Sequence, residues 1–75
     1  MDKIIDFLKS RGIKHRTINC LVVPINRDSI VNYYNTDEEK AYTQLLKDIS
    51  LVLGIRAFYS VRNDDYLWIS ILGDS

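Results

Sequence analysis

Residues 56–72, RAFYSVRNDDYLWISIL, decide the fold of this chain because they contain two alternating stretches on either side of a turn. The stretches 56–62 and 66–72 place apolar residues at every second position, which is the period of a half-buried β-strand. The Asn-Asp-Asp at 63–65 supplies residues that are typical of tight turns. Together these features predict a β-hairpin with a three-residue loop.

The loop length sets which residues of the two strands lie opposite each other. A three-residue loop predicts the pairs Arg62–Tyr66, Ser60–Trp68 and Phe58–Ser70. It also makes one face continuously apolar, and we expect that face to pack on helices: Ala57, Tyr59, Val61, Leu67, Ile69 and Ile71. A two-residue loop would place Ser60 opposite Leu67 on that face, so the three-residue register buries more apolar surface and is favoured.

The opposite face of the hairpin has an unusual composition. It carries two cations and three aromatic rings, which we name together the aromatic–arginine face: Arg56, Phe58, Arg62, Tyr66 and Trp68. A sheet face left in water rarely has this composition, whereas exposed rings beside arginine are typical of binding hot spots. These five residues are therefore the candidate partner-binding site.

Three interpretations of the aromatic–arginine face stay open at the level of the sequence. In the first, another part of the chain covers the face, for example residues 24–35, which include Tyr33 and Tyr34. In the second, the face binds protein, either a second copy of this chain or a different partner. In the third, it is a stacking platform for single-stranded nucleic acid, with rings under the bases and arginines at the phosphates.

Two amphipathic helices are predicted from the spacing of apolar residues. The first covers residues 2–11, and its apolar stripe consists of Met1, Ile4, Ile5 and Leu8. The second covers residues 37–53 and begins with a capping box formed by Thr36 and Glu39. A Gly-Ile pair follows each helix, as expected for a left-handed C-terminal cap with its hydrophobic contact.

The segment between the two helices is less clearly patterned. Residues 16–23, RTINCLVV, are largely β-branched and apolar and predict a strand that ends at Pro24. Residues 30–34, IVNYY, fit a second strand that pairs back on the first, and they also fit a helical turn capped by Asp28 or Ser29. We favour the strand.

These elements predict an α+β fold in a single small domain over residues 1–75. Two helices pack on one face of a small antiparallel sheet, in the order α-β-(β)-α-β-β. A chain of this length buries only about 60–65% of its unfolded surface, so its core is thin. Self-association is a common remedy for a thin core, and a homo-oligomer is therefore one expected state.

The composition limits the compartment and the class of partner. Ten acidic and ten basic residues give zero net charge, with an isoelectric point near 6.5. This balance argues against a general polyanion binder, because non-specific affinity for nucleic acid comes mainly from phosphate neutralisation. Cys20, which we expect to be buried, is the single cysteine, so no internal disulfide forms and a reducing cytoplasm is expected. No signal peptide and no membrane-spanning run are expected, so the predicted localisation is cytoplasmic.

The sequence contains no pattern that indicates catalysis, a cofactor or a metal. His15 is the only histidine, and it lies between two cations that repel metal ions, so we expect it at the surface. The carboxylates at 37–39 and 64–65 fit helix capping and turn chemistry. We therefore expect no enzymatic activity, no cofactor and no metal site.

The expected function is binding. A small regulatory module that acts through protein–protein interaction on the aromatic–arginine face is the first hypothesis, with self-association or a host protein as the partner. The alternative is nucleic-acid binding by the same face, helped by the basic cluster Lys14, His15 and Arg16. The abundance of Ile, Asn, Tyr and Asp resembles that of small proteins from AT-rich bacteria or their phages, which favours a regulator that docks on a host protein.

Overall fold

The second strand of the hairpin lies at the centre of the sheet. The computed structural model describes residues 2–16 and 21–74. Its elements are α1 (Asp2–Ser10), β1 (Val22–Asn26), α2 (Arg27–Tyr34), α3 (Glu38–Leu53), β2 (Ile55–Val61) and β3 (Tyr66–Asp74). The described strands form an antiparallel sheet in the order β1-β3-β2. The predicted α+β class with an antiparallel sheet is confirmed.

The hairpin has the predicted register. Ser60 lies opposite Trp68 and Phe58 lies opposite Ser70. β2 ends at Val61, one residue earlier than predicted, so the predicted pair Arg62–Tyr66 is not part of the described ladder and residues 62–65 form the loop. The register shifts near the other end of the hairpin, where Arg56 faces Gly73 while Ala57 faces Ile71, so Leu72 is the extra residue of a β-bulge.

The hydrophobic core lies between the inner face of the sheet and the helices. The helices contribute Ile4, Phe7, Leu8, Ile30, Ala41, Tyr42, Leu45 and Ile49, and the sheet contributes Val23, Ile25, Leu67 and Ile69. All four of these sheet residues are 0% exposed. On β2, by contrast, Ala57 and Tyr59 are only half-buried and Val61 is 52% exposed. The core is therefore closed over β1 and over β3 as far as Ile69, and it is incomplete over β2.

The first strand differs from its predicted bounds. β1 begins at Val22 and continues through Pro24, whereas the sequence predicted a strand over 16–23 that ends there. The reason is the direction in which Pro24 faces. Its carbonyl accepts a bond from the backbone N–H of Arg16 at 2.8 Å, on the side of the strand away from β3, so its missing N–H removes no bond to β3. Residues 17–20 of the predicted strand, including Cys20, lie outside the described residues.

The strand favoured for residues 30–34 was wrong, because these residues belong to the helix α2. Asn26 caps that helix, rather than Asp28 or Ser29, and its Oδ1 accepts the backbone N–H of Ser29 at 2.9 Å. Ile30 is fully buried in the core. Burying Ile30 under α3 while capping the first turn satisfies both the apolar and the polar groups of this segment, which a strand at the end of β1 would not do.

The predicted glycine caps are confirmed, although α1 ends at Ser10 rather than at residue 11 and the start of α3 needs a correction. Gly12 and Gly54 adopt the left-handed conformation, at φ 67° and 66°, and the N–H of Ile13 bonds to the carbonyl of Leu8 at 3.0 Å, as in a Schellman motif. The N-cap of α3 is Asp37 rather than Thr36, since its carboxylate accepts the backbone N–H of Lys40 at 3.0 Å.

Candidate functional site

The outer face of the sheet collects the residues that the sequence singled out. The register places Trp68 between Ser60 of β2 and Pro24 of β1, and it places Tyr66 beside Asn26. Pro24 is almost completely buried although it belongs to this face. Trp68 and Tyr66 are half-buried, so the two rings are partly embedded in the sheet surface.

Trp68 is held on two sides by residues of the hairpin loop. The guanidinium of Arg62 lies over its ring, 4.0 Å from the centroid, which is a cation–π geometry. The indole Nε1–H donates a hydrogen bond to Oδ2 of Asp64 at 2.9 Å. Asp64 also accepts the backbone N–H of Tyr66 through Oδ1 at 3.0 Å. The loop therefore orients the indole before any partner is bound.

The charge of Asp64 is stabilised by these same contacts. The backbone N–H of Tyr66 is the largest cause that lowers the pKa of Asp64 below its usual value, followed by the indole N–H of Trp68 and the positive charge of Arg62. The carboxylate is thus an acceptor that stays ionised near neutral pH. The sequence assigned Asp64 to turn chemistry alone, and its four-residue separation from Trp68 was the only signal of a second role.

The aromatic–arginine face continues into the segment before β1. The rings of Tyr66 and Trp68 meet edge to face with centroids 6.5 Å apart, and the guanidinium of Arg16 lies 5.6 Å from the Tyr66 centroid. His15, predicted at the surface, is half-buried and bridges to Ile25. The basic cluster is therefore divided, and Arg16 is the member that the contacts join to this face.

Lys14 borders a different surface. It lines a polar concavity at the start of α2 together with Arg11, Asp28 and Asn32. Its backbone N–H donates to Oγ of Ser29 at 3.1 Å. These contacts place Lys14 beside α2 rather than beside Tyr66.

The remaining two residues of the face lie toward its other end, on β2. Phe58 is 49% exposed, and Arg56 is exposed as well. Arg56 lies opposite Gly73, which has no side chain to cover it. This end of the aromatic–arginine face is accordingly more open to solvent than the end around Trp68.

The interpretation in which residues 24–35 cover the aromatic–arginine face is wrong. α2 packs on α3, since the hydroxyl of Tyr34 donates to Asp48 at 2.6 Å and Ile30 enters the core. Tyr33 lies edge to face against Tyr34, with centroids 4.8 Å apart. From this segment the face receives Pro24 and Asn26 as sideways neighbours within the sheet.

Arg27 anchors the hairpin loop to the helices, a role that the sequence did not indicate. Its Nε donates to the hydroxyl of Tyr42 at 3.0 Å and its Nη1 donates to the carbonyl of Asp64 at 2.9 Å. Its Nη2 forms an ion pair with Glu38 at 3.3 Å. The bond to Tyr42 is the largest cause that raises the pKa of Arg27. The position of Asp64, and hence of the indole that it binds, therefore depends on this contact.

Charged residues adjoin the aromatic rings on the sheet side and the start of α3 on the helical side. Arginines border the aromatic rings on the sheet side, at positions 16, 56 and 62. Acidic residues gather at the start of α3, where Asp37, Glu38 and Glu39 occupy the N-cap and first turn. Asp64, which accepts the indole N–H of Trp68, lies near these arginines, so charges of both signs adjoin the rings.

Within residues 2–16 and 21–74, no three His, Cys, Asp or Glu side chains come together as a group that could hold a metal ion. None of the helices described has the length and apolar character needed to cross a bilayer.

Comparisons with protein-family models, with curated proteins and with solved structures find no match for this chain.

Proposed function

We propose that this chain is a small, non-enzymatic binding module that acts through protein–protein interaction on the aromatic–arginine face. Such a module would regulate its partner by occupying a surface of it. The proposal keeps the five residues that the sequence selected and adds Arg16, whose guanidinium lies over the ring of Tyr66.

The observation that carries this proposal is the arrangement of Trp68 between Arg62 and Asp64. Binding costs free energy when side chains must be ordered at the interface, and an indole that is already fixed by a cation–π contact and a hydrogen bond avoids part of that cost. Trp and Arg are the residues most enriched among hot spots. Phe58, 49% exposed on the neighbouring strand, supplies apolar surface for a partner beside this anchor.

The charges of the face indicate the chemistry of the partner. Arg16, Arg56 and Arg62 surround three rings, so a complementary surface would present carboxylates next to apolar side chains. The arginines would then steer the encounter and set the orientation, while Trp68 and Phe58 would supply most of the affinity.

The proposal is tested by affinity capture from a lysate of the source cells, with the wild-type chain and single variants as baits. We expect a protein that is retained by the wild type and by Leu51→Ala, and lost with Trp68→Ala and Phe58→Ala. Leu51 is the control because it is 82% exposed on α3. Circular dichroism and thermal melting verify that each bait is folded. Equal capture by all four baits would contradict the proposal.

A second candidate function is single-stranded nucleic-acid binding, which the contact between Arg16 and Tyr66 favours. That contact extends a cationic strip along the sheet, as a stacking platform requires. Against it stands the position of Arg62, whose guanidinium already occupies one side of the Trp68 ring.

The single tryptophan of the chain makes this second candidate easy to test, because intrinsic fluorescence then reports on Trp68 alone. Titration with mixed-sequence single-stranded DNA at several salt concentrations would give quenching that weakens with salt, and Arg16→Ala would reduce the salt dependence. Fluorescence that stays constant at low salt would exclude this function in favour of protein binding.

A further inference from the structure

We propose that the free edge of β2 binds β2 of a second copy of this chain, antiparallel and around a twofold axis at Phe58. The two sheets would then form one continuous sheet. This surface is the edge of the sheet, in contrast to the outer face on which the proposed function rests.

Half of the backbone groups of β2 point away from β3 and are available for pairing with a second strand. The N–H of Ile71 bonds to the carbonyl of Leu21 at 2.8 Å, so the odd-numbered residues of β3 bond toward β1 and the even-numbered residues bond toward β2. The pairs Phe58–Ser70 and Ser60–Trp68 are consequently the hydrogen-bonded pairs of the hairpin. The backbone groups of the odd-numbered residues 57, 59 and 61 point away from β3, to an edge with which no described strand pairs.

The hydrophobic core is also incomplete along this edge of the sheet. The inner side chains of β2 are half-buried or exposed, whereas four inner side chains of β1 and β3 are fully buried and Ile71, near the end of β3, is half-buried. The ring of Tyr42 on α3 meets Tyr59 edge to face at 5.7 Å, which shows that this side of α3 adjoins β2. Leu46 and Leu53 follow Tyr42 on the same helical stripe, and both are only partly buried. Partly exposed apolar side chains thus lie along the same edge as backbone groups that no described strand pairs with.

The sequence of β2 is complementary to itself when two copies of the strand pair antiparallel in one register. Centring the pairing on Phe58 uses all seven residues of the strand. The apolar side chains then meet apolar side chains on the inner face, since Ile55 lies opposite the partner's Val61 and Ala57 lies opposite the partner's Tyr59. On the outer face Arg56 lies opposite the partner's Ser60, so no two arginines face each other.

Neighbouring registers are less favourable. Moving the axis to Tyr59 would place Arg56 opposite the partner's Arg62, and like charges directly opposite are destabilising. Moving the axis to Ala57 would leave Val61 beyond the end of the partner's strand. Proline and charged side chains, lysine above all, protect strand edges against pairing; β2 contains neither proline nor lysine, and its one charged residue, Arg56, lies opposite the partner's Ser60 in this register. These features commit the edge to a second copy of the same strand.

Pairing in this register would place the two aromatic–arginine faces side by side on one surface, with the two Phe58 rings at its centre. The assembled surface would be twice as wide and twofold symmetric. It would suit a partner that is itself symmetric, or an elongated one.

The oligomeric state tests the inference directly, by sedimentation velocity of the full chain from micromolar to millimolar concentration. We expect a concentration-dependent dimer, with a dissociation constant raised by about tenfold or more in Val61→Lys, because a lysine would be buried against the partner's Ile55. Leu51→Lys is the matched control, since it makes the same kind of change at a residue that is 82% exposed. A wild-type chain that stays monomeric at every concentration would overturn the inference.

Disulfide trapping tests the register. In a Cys20→Ser background, Phe58→Cys would place two thiols opposite each other across the axis, where non-hydrogen-bonded partners have Cα atoms about 4.5 Å apart, within disulfide range. Mild oxidation should give a covalent dimer with Phe58→Cys and little with Ser60→Cys. Equal trapping by the two variants would overturn the register. A dimer that is lost in Trp68→Ala but unaffected by Val61→Lys would assign self-association to the outer face and overturn the edge pairing.

Discussion

The guanidinium of Arg62 lies over the ring of Trp68, 4.0 Å from its centroid, and the two residues come from opposite sides of the hairpin loop. This contact ties the ring to the start of the loop on the outer face. The hydrogen bond from the indole N–H to Asp64 ties the same ring to the middle of the loop. These two contacts within the hairpin therefore hold the Trp68 side chain in one orientation.

Removing the cation should loosen this arrangement. We expect Arg62→Gln to lower the free energy of unfolding by about 0.5–1 kcal/mol, the usual range for an exposed cation–π contact. The Trp68 emission should shift to longer wavelength and become more accessible to acrylamide. Arg56→Gln is the control, because Arg56 lies opposite Gly73 on the same face. If both variants change the emission equally, the stacking in solution differs from that described.

Asp64 should contribute an acid-dependent part of the stability. Its pKa is lowered in the folded state, first by the backbone N–H of Tyr66, so folding favours the charged form. The contribution is fully present above the unfolded pKa of about 3.8 and is lost as pH falls through the lower folded value. Asp64→Asn should therefore be less stable at neutral pH and should lose less stability on acidification.

Thermal unfolding from neutral pH to below about pH 3 measures this difference. The control is Asp65→Asn, which removes the adjacent carboxylate. A wild-type profile that runs parallel to that of Asp64→Asn throughout the acid range would show that the two hydrogen bonds do not select the ionised form.

Tyr34 should contribute a part of the folding stability that is lost at alkaline pH. Burial is the first cause that raises its pKa, and the hydrogen bond and charge of Asp48 are the next, so folding favours the neutral phenol. The contribution is fully present below the unfolded pKa of about 10 and is lost as pH rises toward the folded value.

Tyr34→Phe should remove this dependence, so the difference in stability between wild type and variant should shrink as pH rises above about 10. Urea unfolding at a series of alkaline pH values measures it. Tyr33→Phe, at the more exposed neighbouring ring, should preserve the wild-type slope. A difference that stays constant with pH would indicate that Tyr34 ionises as freely in the folded chain as in the unfolded chain.

Thr36 and Asp37, the two neighbouring residues at the start of α3, should differ in how much each stabilises the fold. Asp37 accepts the backbone N–H of Lys40 and is the N-cap, so Asp37→Ala should cost about 1 kcal/mol of unfolding free energy. Thr36→Ala should cost distinctly less, because Thr36 precedes the cap. Chemical denaturation of both variants gives the comparison, and a larger loss for Thr36→Ala would mean that the helix begins one residue earlier in solution.

Local chemistry explains which parts of the fold could be predicted from the sequence. The hairpin register follows from the alternation of apolar residues and from the length of a loop between strands that are neighbours in the chain. The glycines that end α1 and α3 act within one helical turn. The five residues of the aromatic–arginine face were selected in the same way, from the pleat of adjacent strands.

The parts of the fold that could not be predicted from the sequence depend on contacts between segments that are far apart in the chain. Residues 27–34 form a helix because Ile30 fills the core under α3 and Asn26 caps the first turn, and neither fact is visible in the ambiguous pattern IVNYY. Pro24 fits inside β1 because its backbone groups face away from β3, which only the order of the strands determines.

The candidate site was completed in the same way. Arg16 reaches Tyr66 across fifty positions of sequence, and Arg27 holds the loop that orients Trp68. The sequence by itself determined the hairpin, its register and the residues of its outer face, because these depend on the period of the strand and the length of one turn. Only the tertiary structure decided which strand edge stays free and which cations meet the rings, because those depend on how segments far apart in the chain share one core.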